Sequence, residues 1–165
     1  MREFALSAGG AAGLTVLGAT TLLFLNPTAA PNLNIEFTRF WIGQAANATS
    51  AQQRAQLETQ VTAFPTLVSA TPAKLKRADP NASIITGGTA GAAGTSGVNA
   101  SAEGAGAKTA IFDDVFNVLN GWLHVPTPPE TIIMPAGSAS GLGLFFPAAP
   151  TTLTGWAFGT IFREV

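Results

Sequence analysis

The chain has 165 residues, enough for one domain or for one small domain plus an anchor. Charged residues make up 10% of it, against roughly 25% in an ordinary soluble domain, and the formal net charge is −1. That balance leaves no basic surplus for nucleic acid, and the lack of cysteine excludes disulfides, thiolate metal sites and cysteine nucleophiles.

So little charge cannot keep a large surface solvated. The composition therefore predicts that lipid, neighbouring protein subunits, or both cover much of the exterior. Residues 4–35 contain no charge at all, and the apolar core at 4–25 is long enough for an α-helix to cross a bilayer.

Three readings fit this N-terminal stretch. One is a cleaved signal peptide, with Arg2 as its only basic residue and a small-x-small site at Thr28-Ala29-Ala30. Another is a retained membrane helix. Ala5, Gly9 and Gly13 would fall four apart on one of its faces, the spacing by which membrane helices pack closely. Asn26-Pro27 would end such a helix. The lone N-terminal cation would place the N-terminus inside and residues 32–165 outside the cytoplasm. The third is a Gly-rich apolar arm buried between subunits of a shell or filament.

Beyond it, residues 35–42 are aromatic and β-branched and read as a strand closed by Gly43. Phe37, Phe40 and Trp41 are candidate contact residues there. Ser50 and Gln53 make a capping box, and Leu57, Val61 and Phe64 recur at helical spacing, so a helix is expected up to Pro65. Arg54 and Glu58 would pair along its wet side. A short second helix is expected from Thr71-Pro72 to Lys76 or Arg77. Lys74, Lys76 and Arg77 form the only basic cluster, a solvated turn or an anion contact. Three Asn-x-Ser/Thr triplets begin at Asn47, Asn81 and Asn99, and chance matches are expected in a chain of this composition.

Residues 86–107 are Gly/Ala/Ser/Thr-rich with Glu103 as their only charge, which predicts a flexible linker or surface loop. Two apparent nucleotide motifs fail here. Gly88, Gly91 and Gly94 have the wrong spacing for a dinucleotide loop. Ala107 stands where a phosphate loop before Lys108-Thr109 needs glycine.

Residues 110–119 read as an amphipathic helix with Asp113 and Asp114 on its solvated side and Asn120-Gly121 as its cap. His124 is the only histidine, with no nucleophile pattern around it. Residues 131–134, 142–146 and 153–165 read as strands separated by Pro/Gly turns. In the last, Trp156, Phe158 and Phe162 share one face.

The sequence thus predicts a mostly β chain with short helices: a small sandwich or jelly-roll-like module behind an N-terminal hydrophobic helix or arm. Its divisions are an anchor or arm at 1–31, a strand with short helices at 32–85, a Gly/Ala-rich loop at 86–107, and a helix plus β-module at 108–165. The expected role is a non-enzymatic structural or accessory subunit without cofactor or metal. Its partners would be other protein subunits, with lipid possible at residues 4–25 and no nucleic acid. Ala5, Gly9, Gly13, Phe37, Phe40, Trp41, Trp156 and Phe158 are its expected assembly contacts. The leading form is a single-pass membrane-complex subunit with an extracytoplasmic domain. The alternatives are a virion or surface-filament protein, and an anchored glycan- or protein-binding module that uses Trp122 or Trp156.

Overall fold

The computed structural model describes residues 1–9, 14, 20–27, 33–46, 48–150 and 152–165. In chain order their strands are β1 (Arg2–Ala8), β2 (Thr20–Leu25), β3 (Ile35–Gln44), β4 (Gln52–Val61), β5 (Thr66–Ser69), β6 (Ala73–Lys74) and β7 (Thr86–Gly87). Then come β8 (Thr95–Ala102), β9 (Ala107–Asn117), β10 (Trp122–His124), β11 (Ile132–Met134), β12 (Ser140–Phe146) and β13 (Trp156–Glu164). A 3-10 turn, Pro128–Glu130, separates β10 from β11.

The protein is mostly β, in two antiparallel sheets. The first runs β10-β3-β13-β1-β6, with β11 also on β3. The second runs β5-β8-β2-β12-β4-β9, with the short β7 parallel to β8. The long pairings are nested. β1 lies on β13 (Phe4 opposite Phe162) and β2 on β12 (Leu23 opposite Leu144). β3 lies on β10 and β11 (Ile42 opposite Trp122, Phe37 opposite Ile132), and β4 on β9 (Leu57 opposite Phe112). Residues 62–106 interrupt the β4–β9 hairpin and extend both sheets, β8 beside β2 and β6 beside β1.

One core joins the sheets. Phe4, Phe37, Phe40, Trp156 and Phe162 come to it from the first, and Leu23, Leu25, Leu57, Leu144 and Phe146 from the second. Each such side chain contributes about 1.5–3 kcal/mol on leaving water. Phe146 meets Trp156 edge-on with ring centres 4.9 Å apart, and Phe37 stacks on Phe40 at 5.4 Å. In β13 the expected alternation holds, with Trp156 and Phe158 inward. Phe162 follows the same alternation, and a bulge opposite it adds Thr38 to β3, so that Phe37 and Phe40, three residues apart, both point into the core.

Four expected helices are corrected. Residues 4–25 do not form one helix: β1 and β2 lie in different sheets, and no helix among the described residues is long and apolar enough to cross a membrane. All six residues of β2 are buried, because the core covers one face and the 62–106 segment covers the other. A strand buried on both sides is continuously apolar, like a membrane helix. The proposed cleavage site at 28–30 falls outside the described residues.

The helix expected from Ser50 to Phe64 is β4, whose inward residues are Gln53, Ala55 and Leu57. The helix expected at 110–119 is mostly β9, and the one near Thr71–Arg77 is β6 followed by a turn. In β4 and β9, an apolar spacing of three or four coincided with a strand whose alternation is obscured by buried polar or exposed apolar residues, whereas Thr71-Pro72, expected to open a helix, instead leads into the two-residue β6. The Gly/Ala stretch is also more ordered in role than a linker, since β8 is an internal strand between β5 and β2.

Candidate functional site

A largely buried charge cluster lies on the outer face of the second sheet. Leu57, Leu142 and Leu144 point into the core, so Glu58, Gly143 and Phe145 point away from it. There Lys108 Nζ stands 3.0 Å from Glu58 Oε1, 2.7 Å from Glu103 Oε2 and 3.8 Å from the Phe145 ring centre. Glu103 also accepts hydrogen bonds from the Thr21 backbone N–H (2.6 Å) and the Thr21 hydroxyl (2.7 Å). The Glu58 side chain is only 5% exposed. Burial pushes its carboxyl above the ordinary range; Lys108 pulls it back and Glu103 adds to the rise.

This arrangement is a clamp. One cation holds two carboxylates, tying the end of the 62–106 segment to β2, β4 and β9. The neck beside it needs glycine: Gly104 has φ +67°, and a Cβ there would lie 2.1 Å from the Ala63 carbonyl oxygen. Next to the clamp, Phe24 fills a small second core with Phe64, Leu67 and Ala100. The strand beneath is bare at Gly141 and Gly143, and a Cβ on Gly141 would come within 2.2 Å of the Phe24 ring.

His124 occupies an aromatic nest where β9 meets β10. Its ring centre lies 4.2 Å from Phe112 and 5.8 Å from a nearly parallel Trp122. Burial holds its pKa below the ordinary value, opposed by the charges of Glu130 and Asp114. The two neighbouring aspartates have other work. Trp122 Nε1 donates to Asp114 at 3.1 Å, while Arg54 and Gln56 donate to Asp113. Among the described residues neither aspartate hydrogen-bonds His124, so no acid–base pair is assembled.

The outer face of the first sheet is an open groove floored by Glu3, Glu36, Arg39 and Arg163, with Leu75 at one side and Val125 at the other. Arg163 donates to Glu3 at 3.1 Å.

The eight expected contact residues do not form one surface. Phe37, Phe40, Trp156 and Phe158 are at most 3% exposed and serve the chain's own core. Trp41 is half-buried on the outer side of β3, with its ring against Gly159, where a Cβ would lie 2.3 Å from the indole. Ala5 is half-buried on β1, Gly9 follows that strand against Ala157, and Gly13 is outside the described residues. Trp122, 7% exposed, presents no open ring to a ligand, nor does Trp156 at 2%.

Sequence reading missed the Glu58–Lys108–Glu103 clamp. Its signal was Glu103 itself, a lone charge in a stretch otherwise without any. Arg54 and Glu58, expected to pair with each other, instead pair with Asp113 and Lys108 on β9. Among the described residues no group of three His, Asp or Glu side chains is placed to hold a metal ion. Compared with protein-family models, curated proteins and solved structures, the chain matches none of them.

Proposed function

We propose that this protein is a non-enzymatic structural subunit of a large protein assembly, a virion shell or a surface filament, and that its two sheets form a jelly-roll sandwich. The nested strand pairing carries this reading. A jelly roll arises when one long antiparallel hairpin rolls up, so that the first strand pairs with the last, the second with the next to last, and successive pairs alternate between two sheets. Here β1–β13 lies in the first sheet, β2–β12 in the second, β3–β10/β11 in the first and β4–β9 in the second. Capsid and lectin domains are common uses of that architecture, and the step from fold to role is an analogy.

Two further observations favour a packed structural role. The Glu58–Lys108–Glu103 cluster clamps the chain to itself, tying an inserted segment onto the second sheet. Large apolar side chains are exposed along the sheet edges, including Val115 at 58% and Leu123 at 65%. Such residues, when grouped, mark contact sites with other proteins.

The test is to purify the full chain without detergent and measure its mass by light scattering and its form by electron microscopy. Multi-subunit particles or filaments are expected. A chain that is recovered only with detergent, or that stays monomeric at every concentration, would overturn the reading.

A further inference from the structure

Both sheets end at the same two rims. At one, β9 closes the second sheet and β10 with β11 closes the first, packed together through Phe112, Trp122 and His124. At the other, β5 and β6 end the two sheets only three residues apart in the chain. Among the described residues β9 is the longest strand, with 11 residues, and it has an in-sheet neighbour only on its β4 side. A long open edge of this kind is a template for further strand pairing.

The rims are alike in apolar exposure and opposite in charge. Val115 and Leu123 stand out on the β9–β10 rim, and Val68 (54%) and Leu75 (45%) on the β5–β6 rim. The first rim carries exposed Asp114 and Glu130, and the second carries exposed Lys76 and Arg77. Among the described residues none of these four charges is in an ion pair: Asp114 accepts from Trp122, and Glu130 from Thr127.

On this basis we propose that copies of the chain join head to tail, the acidic β9–β10 rim of one against the basic β5–β6 rim of the next. This rests on the assembly reading above and names its contact surface. Like charge disfavours either rim meeting its own copy in a two-fold dimer, whereas opposite charge steers unlike rims together around an apolar centre. A repeated contact between unlike rims makes a ring where the rotation closes and a filament where it does not.

The test uses the full chain in two charge-reversed forms, both altered only at exposed positions. Lys76→Glu/Arg77→Glu makes both rims acidic, and Leu123→Lys/Glu130→Lys turns the acidic rim basic. Each form alone should need about a tenfold or greater increase in concentration to assemble, by light scattering at low salt. Mixed in equal amounts, they should assemble at a lower concentration than either form alone, as alternating copies in native mass spectra. If the Lys76→Glu/Arg77→Glu form assembles as the wild type does, the rim contact is overturned while the assembly reading stands. If the wild type itself never assembles, both fall together.

Discussion

Each sheet turns an ion pair outward, and the two differ in what lies above them. On the second sheet, Lys108 meets a Glu58 side chain that is 5% exposed, under a flap made by the chain's own 62–106 segment. On the first, Arg163 and Glu3 are 35% and 24% exposed in an open groove. Similar chemistry therefore has different consequences. Beneath the flap, Lys108 is needed to neutralise carboxylates already taken from water. In the groove, solvent does most of that work. The segment that looks least structured by composition is the one that makes a charge structurally demanding.

The largest break in this contrast should come from Phe24, which pins the flap. Phe24→Ala is expected to cost about 3–5 kcal/mol in urea unfolding. It should also raise protease cleavage within residues 62–106 before the rest of the chain is cut.

Lys108→Met should cost less, about 1–3 kcal/mol. It strands a buried carboxylate, and the partial exposure of Lys108 and Glu103 reduces the penalty. Its pH dependence is diagnostic. Glu58 keeps its proton to higher pH in the folded than in the unfolded chain, because burial outweighs Lys108. Its contribution is therefore complete below the ordinary carboxylate range and is lost as pH rises through the elevated value. Removing Lys108 should carry that loss to higher pH, and Lys108→Met/Glu58→Gln should abolish the extension. Urea midpoints from pH 4 to 8 would show it; identical slopes in wild type and Lys108→Met would refute the clamp.

A smaller effect belongs to His124, at the rim. Its depressed pKa means that stability is highest above the ordinary histidine value and falls as pH drops through the lowered one. His124→Phe keeps an aromatic ring in the nest and should flatten this part of the profile. The smallest effect is expected in the groove. Arg163→Gln should change stability by about 0–1 kcal/mol, less in high salt, as for other exposed pairs.

The C-terminal strands were legible because their chemistry and periodicity agreed. Trp156 and Phe158 alternate with Ala157 and Gly159, and proline-rich turns bound β12. β4 and β9 were not legible for the opposite reason. Gln53 is buried at an inward position, while Ile111 and Val115 are exposed on an edge, so local composition imitates a helix stripe. β2 was hidden by the flap, since apolarity on both faces erases the period that marks a strand. The clamp joins residues 58, 103 and 108 across an inserted segment, and neither its spacing nor any local motif announces it.

The pairing of β1 with β13 also has a consequence for the order of events during synthesis. Of the described strands β1 is made before all the others and β13 after them, yet Arg2 sits opposite Glu164 with a 2.8 Å ion pair between them. β2 must likewise wait for β12. The half-made chain therefore holds apolar strands with no partner. Closing such distant pairs is slow, because the entropy of a long loop is lost before its contacts form. The apolar run holding β1 and β2 is thus the segment most in need of shielding until β12 and β13 have been made.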